Sequence, residues 1–207
     1  MSDGQTQSEF SIKTHRLIIR PWRDQDLEPF SAMNQDKEVM RFTPGLLTIE
    51  ESNNQIAARR KEFENLGFCL WACELKSTGE FIGSVGLTIH DFKAHFTPAV
   101  GVGWKLVRNH WGKGYAIEAA AFVLQWAFSK QKLPEIVSIT SLLNKKSIRI
   151  MEKLGMTHES KDDFYHPRVS KEHFFSRQVL YRMTLSQWEE VSPKLIKDFV
   201  QSVNLRS

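Results

Sequence analysis

The chain has 207 residues, 41% hydrophobic and 25% charged, enough apolar material for one domain with a buried core and too much for a disordered polypeptide. Its 28 basic and 24 acidic side chains leave a net charge of +4, dispersed rather than clustered, so charge alone argues for no nucleic-acid partner. No stretch approaches the ~20 apolar residues of a membrane span, and the polar first eight residues lack the apolar segment of a signal peptide, so a cytoplasmic location is expected.

Residues 1–13 read as a flexible leader. Residues 16–22 alternate as a short strand, and Asp24 is placed to cap a helix over 25–33. Thr48 and Glu51 form a capping box, opening a helix that carries Ile56, Arg60 and Phe63 at helical spacing and ends at Gly67. Two strands follow, 68–75 and 80–89, joined by a hairpin loop over 76–79. Cys69 and Cys73 share one face of the first, roughly 13 Å apart at ~3.3 Å per residue, too far to bridge. They are expected as buried free thiols. Residues 90–98 read as a loop and 99–107 as a strand.

A turn with Gly112 and Gly114 then opens a helix that continues to about residue 129. Its apolar residues cover nearly the whole circumference, which predicts burial on most sides. Glu118 lies on its narrow polar stripe and reads as structural. A strand over 136–142 leads to Asn144, which can cap a helix over 145–154 ended by Gly155. Asp162, Asp163, Tyr165, His166 and Pro167 lie in a loop before a last strand at about 178–185. Two more helix starts follow, Ser186 with Glu189 and Ser192 with Pro193. The organisation is a leader 1–13, one domain 14–185 and a helical extension 186–207. Hairpins early and strand–helix–strand units late predict an α+β (mixed α/β) fold, a mixed sheet covered by helices.

The turn Trp111-Gly112-Lys113-Gly114-Tyr115-Ala116 carries the chemistry. Glycines there let backbone N–H groups converge at the positive end of the helix dipole, an arrangement that binds phosphate. A strand-to-helix turn that merely needs small residues has the same local appearance. It is not a nucleotide P-loop, because Gly114 rather than Ser or Thr follows Lys113. Gly101 and Gly103 lie inside a strand and so are not a dinucleotide fingerprint. Neither metal-ligand spacing nor a Gly-x-Ser-x-Gly elbow is present.

Five segments in order carry a wider resemblance: Thr14-His15-Arg16-Leu17-Ile18-Ile19-Arg20-Pro21, Gly103-Trp104-Lys105-Leu106, the glycine turn running on through Ile117-Glu118-Ala119, Asn144-Lys145-Lys146-Ser147, and Met151-Glu152-Lys153-Leu154-Gly155-Met156. Together they resemble the GNAT acyltransferase superfamily, in particular its RimJ/RimL-like branch. The resemblance implies a GNAT-type fold: a central mixed, mostly antiparallel sheet of about six to seven strands, flanked by about four helices, with the C-terminal helical extension added. It also implies acetyl-CoA as donor and a primary amine as acceptor, either a protein N-terminal amine or a small molecule, with direct transfer in a ternary complex. No metal, nucleic acid or membrane is implied, and the chain is expected as a monomer or homodimer.

By the same resemblance, the pantetheine arm pairs with the strand at Trp104, Lys105 and Leu106 as a surrogate strand. The pyrophosphate lies over the N–H groups of Gly112, Lys113, Gly114, Tyr115 and Ala116, and a backbone N–H near Leu106 holds the developing oxyanion. Trp111 brings no charge to the turn, so phosphate binding rests on backbone donors. Arg108 and Lys113 either pair with phosphates or are ordinary solvated charges. Asn144 adds an amide contact to its capping role. Ser147 either protonates the departing thiolate or is a core serine. One departure stands out: where relatives commonly carry a glutamate general base, this chain has Gly101. His110 and the Asp163/His166 pair are the candidate replacements, each also readable as a surface residue. That gap keeps an alternative open, a non-catalytic acyl-CoA-binding module or sensor. A nucleic-acid-binding sheet would require paired aromatic residues on one strand, and here they are dispersed.

Overall fold

Nine strands and five α-helices are built from residues 10–201, which the computed structural model describes. The strands are β1 (Ile12–Lys13), β2 (Leu17–Arg20), β3 (Leu70–Leu75), β4 (Phe81–His90), β5 (Ala99–Leu106), β6 (Glu135–Ser141), β7 (Thr157–His158), β8 (Phe164–Tyr165) and β9 (Arg177–Thr184). They form one sheet in the order β1-β2-β3-β4-β5-β6-β9-β7, with β8 also on β9. Only β5 and β6 run parallel. The six longer strands match the expected sheet; the other three are two-residue edges. The helices are α1 (Leu27–Asn34), α2 (Ile49–Leu66), α3 (Tyr115–Trp126), α4 (Lys145–Lys153) and α5 (Leu185–Gln201). The fold is α+β of GNAT type. Among the described residues no helix is long and apolar enough to cross a membrane.

Local chemistry accounts for most boundaries. The Thr48/Glu51 box forms as expected: the Glu51 N–H donates to Thr48 Oγ1 at 3.1 Å, and the Thr48 N–H to Glu51 Oε2 at 2.8 Å. Gly67 ends α2 at φ 74° and Gly155 follows α4 at φ 82°, conformations that glycine adopts without strain. α3 continues as a wider π turn over Ala127–Gln131.

Three expectations need correction. The leader stops short of residue 13: Phe10 stacks on Trp71 with ring centroids 4.8 Å apart, and Ile12 pairs with Ile19. Residues 1–9 lie outside the described part, as do 202–207 of the extension. Asp24 does not cap α1, which instead follows a 3₁₀ turn over Asp24–Asp26. The Asp26 carboxylate is taken by Arg20, which bonds it at 2.7 and 2.9 Å and bonds Glu74 at 2.6 Å, a buried cation between two carboxylates. Lastly, the two C-terminal helix starts are one helix. Thr184 and Gln187 cap it reciprocally, and Pro193 sits inside it. Trp188 packs on Phe128, and Val191 before the proline and Leu195 and Ile196 after it extend the same apolar contact, so packing outweighs its lost hydrogen bond.

The sheet divides the core. On one face Leu17, Ile19, Trp71, Val85, Leu87 and Val102 pack with α3, whose Ala119, Ala120, Ala121 and Val123 are fully buried. Trp22, Phe30, Met33, Ile56 and Phe81 form a smaller cluster beneath α1 and α2. Cys69 and Cys73 are buried and free, and burial pushes both thiols far up from their ordinary range, which leaves neither poised as a nucleophile.

Candidate functional site

Parallel pairing between β5 and β6 is confined to one registered position, Gly101 against Val137. Ser138 Oγ donates to the Val102 carbonyl at 3.0 Å and closes the joint. Beyond it the strands part around a cleft of about 200 Å³, lined by Gly103, Trp104 and Lys105 on one side and by Ile139, Thr140, Asn144 and Ser147 on the other. The Val107 N–H donates to the Ile82 carbonyl of β4 at 2.9 Å. Strand alternation therefore turns the amide groups of Trp104 and Leu106 the other way, toward the cleft. The Leu106 carbonyl is taken by the Trp111 indole at 2.8 Å, which leaves the Leu106 N–H and both groups of Trp104 facing the gap.

The strand edge is tied to the glycine turn through the Trp111 indole, which bonds the end of β5 at Leu106. Gly112 and Gly114 have φ of 75° and 79°, in the region only glycine enters freely, and Gly114 caps α3. The first N–H groups of α3 have no helical acceptor and, at the positive end of its dipole, suit an anion. Cations surround the turn. Lys113 and Arg108 are exposed. Lys146 Nζ stands 4.3 Å from the centre of the Trp111 ring. Arg16 lies over Tyr115 at 4.5 Å and donates to the Lys113 carbonyl at 2.9 Å. Its Nε bonds Glu118 at 2.6 Å, and buried Glu118 also accepts from the Arg16 N–H at 2.7 Å and Thr14 Oγ1 at 2.5 Å. Glu118 is thus structural, as expected. Residue spacing gave no sign that Arg16 and Lys146 join the turn; both arrive from distant elements.

On the opposite wall Asn144 accepts from the Ser147 N–H at 3.3 Å and donates to Thr140 Oγ1 at 3.0 Å. The Ser147 hydroxyl lines the cleft with no hydrogen-bond partner among the described residues.

The expected proton acceptors do not gather here. His110 is buried with Nε2 3.0 Å from Glu80 Oε1, on the side of the β3–β4 hairpin. Asp163 and His166 are not a pair. Asp163 is bound by His158 at 2.8 Å and Arg177 at 3.5 Å, while His166 packs 4.6 Å from the Phe92 ring and accepts from the Arg168 N–H. Burial, then the Arg168 charge, lowers the His166 pKa.

Lys105, expected to pair with the pantetheine arm, has its main-chain groups turned to β4 instead, and its side chain shares with His90 the sheet face opposite α3. Lys105 turns away from the glycine turn, and its Nζ lies 2.7 Å from Asn34 Oδ1. Burial, helped by the Arg59 charge, brings its pKa down to about 8. His90, expected in a loop, is the last residue of β4 and pairs with Ala99. Opposed residues share a face, so its ring leans over Gly101. A Cβ on Gly101 would meet His90 Nε2 at 2.3 Å. Above this face Phe42 of the α1–α2 loop meets Phe174 of the β8–β9 loop, ring centres 6.2 Å apart. Among the described residues no group of three or more His, Cys, Asp or Glu could hold a metal ion.

The cleft offers strand amides along one edge, and the glycine turn bonded to that edge offers free N–H groups suited to an anion. Known proteins resemble the chain in sequence and in fold. The profile of the acetyltransferase (GNAT) domain matches residues 16–157. An uncharacterized Bacillus subtilis protein, YkkB, is 32% identical over 151 residues, 72% of this chain and 86% of its own length. A GNAT-family acetyltransferase crystal structure from Bacillus anthracis superposes with a TM-score of 0.70 at 25% identity, covering 86% of this chain and 99% of that one. RimL, a ribosomal L7/L12 α-N-protein acetyltransferase solved in complex with coenzyme A, shares the fold at TM-score 0.69 and 11% identity, over 84% and 98% of the two chains.

Proposed function

Since the chain belongs to the GNAT acetyltransferase family and is an acyltransferase, we propose that it transfers an acetyl group from acetyl-CoA directly to a primary amine in a ternary complex. The observation that carries this reading is the fork between β5 and β6, whose β5 edge is bonded at Leu106 to Trp111 of the glycine turn. The cleft-facing amides of Trp104 and Leu106 have the alternation to pair with the amides of a pantetheine arm. The N–H groups at Gly112 to Ala116 would receive the pyrophosphate, with Arg16, Lys113, Lys146 and Arg108 supplying positive charge. The Leu106 N–H is the donor for the thioester carbonyl as negative charge develops on its oxygen. Asn144 has acceptor capacity left over from its cap for a pantetheine amide. Ser147, with a free hydroxyl, is the proton donor for the leaving thiolate.

Both acceptor classes fit an enzyme whose glycine turn has the RimJ/RimL pattern: a protein N-terminal amine, as RimL's name states of that protein, or a small amine. The chain is proposed to work in the cytoplasm. Gly101, which supplies no carboxylate, supports a second reading as an acyl-CoA-binding sensor. Titration calorimetry with CoA and acetyl-CoA, followed by thiol release across a panel of amines and N-terminal peptides, separates the two. Binding with amine-dependent thiol release supports the transferase; binding without release supports the sensor; no heat with either ligand removes both.

A further inference from the structure

We infer that His90 takes the place of the missing carboxylate and accepts the proton from the attacking amine nitrogen. The inference rests on the transferase reading above and adds a residue to it. Gly101 is the last position of β5 paired with β6, so it marks the point where the fork begins. Any side chain there would project from the acceptor face at the crotch of the fork. That space is filled from the neighbouring strand: His90 Nε2 and Cδ2 lie 2.3 and 2.7 Å from where a Gly101 Cβ would stand. The ring is fixed by aromatic neighbours rather than by hydrogen bonds, with Phe92 and Phe96 centred 5.6 and 6.4 Å away. Neither imidazole nitrogen has a hydrogen-bond partner among the described residues, so one remains free to accept a proton.

Burial keeps the ring neutral. It is the main cause, the nearby His166 adds to it, and Asp91 opposes it weakly; together they bring the His90 pKa to about 4. Arg168 pairs with Asp91 at 3.3 Å and so draws off part of that opposing charge. At pH 7 the imidazole is neutral, with a lone pair open to a proton. A weak base suffices, because a nitrogen that has bonded an acyl carbon is a far stronger acid than a free ammonium ion. The step balances as follows. The amine lone pair forms the carbon–nitrogen bond, the nitrogen gives one proton to His90, and the carbon–sulfur bond breaks with its pair on sulfur. The thiolate takes a proton from water, or from Ser147, whose hydroxyl water then restores, and His90 returns its own to solvent. An amide and a free thiol result.

A four-cornered comparison tests this: wild type, His90→Ala, Gly101→Glu and the double variant, with His90→Gln as the conservative change. His90→Gln should lower kcat about 100-fold, the usual contribution of a general base, while calorimetric acetyl-CoA affinity stays within about twofold. Gly101→Glu alone should lose activity and thermal stability, because its Cβ meets the ring. In the His90→Ala background the same glutamate has room. It should lose most of its thermal penalty there and raise kcat about tenfold or more over His90→Ala. Retention of more than half the wild-type kcat by His90→Gln overturns the inference. So does an equal thermal penalty for Gly101→Glu in both backgrounds, or a loss of kcat confined to His166→Ala. A wild type that binds acetyl-CoA but releases no thiol with any amine overturns the transferase reading itself, and is recognised by the absence of any rate to compare.

Discussion

Replacing Lys105 by methionine should stabilise the protein at pH 7 and cease to do so near pH 10. Lys105 is a half-buried cation whose bonds go to neutral groups, the amide of Asn34 and the sulfur of Met40, and its pKa falls from 10.5 to about 8 on folding. A base with a depressed folded pKa binds fewer protons folded than unfolded, so stability rises as pH climbs from about 8 to 10.5. Below that window the full penalty applies, about 3 kcal/mol from a shift of about 2.5 units at 1.36 kcal/mol each. Methionine has a similar length and no charge, so it removes the penalty. It also strips Asn34 Oδ1 of its donor, which costs about 1–2 kcal/mol. The net gain at pH 7 is about 1–2 kcal/mol, a rise in Tm of roughly 2–8 °C for a chain of this size. Near pH 10 the folded lysine is neutral, the penalty is mostly gone, and the lost bond to Asn34 dominates. Paired urea titrations of both proteins at pH 7 and pH 10 measure the difference. A stability difference that does not change with pH would refute the argument.

Gly114→Glu should abolish coenzyme A binding in calorimetry, because the left-handed backbone at 79° resists a side chain and a carboxylate would face the phosphates. Unchanged affinity would take the turn out of the site. Ser147→Ala should lower kcat by about 10–100-fold with the apparent acetyl-CoA affinity preserved, as expected for loss of a general acid; full activity would leave the hydroxyl without a chemical role. Asn144→Ala removes a helix cap and the bond to Thr140, so it should cost about 1–2 kcal/mol, a fall of roughly 2–8 °C in Tm, and weaken CoA binding. An unaltered melting curve would show that α4 does not depend on that cap.

Elements whose ends are set by nearby residues were readable in the chain. The Thr48/Glu51 box, the glycine ends of α2 and α4 and the turn into α3 all depend on contacts within a few positions. What escaped was set by distance in space. Asp24 looks like a helix cap until the fold puts a 3₁₀ turn over Asp24–Asp26 ahead of α1, with Asp26 held by Arg20 of β2. Pro193 looks like a first helical residue until Trp188 and Leu195 are seen packing on the same core. The site divides the same way. The Gly112 to Ala116 turn and the Asn144 cap announce themselves locally, whereas Arg16 reaches the turn only through the fold. His90 was hidden by one residue of strand length: placed in a loop it has no fixed direction, and placed at the end of β4 it must lie over Gly101.

Glu118 ties the start of the domain to the mouth of α3 across 102 positions of sequence. A search for the smallest fragment that still grips a nucleotide-linked thioester would therefore fail if it trimmed from the front. Without Thr14 and Arg16 the buried carboxylate loses its donors, and the glycine turn loses the guanidinium that holds the Lys113 carbonyl, although every residue of its own motif is intact.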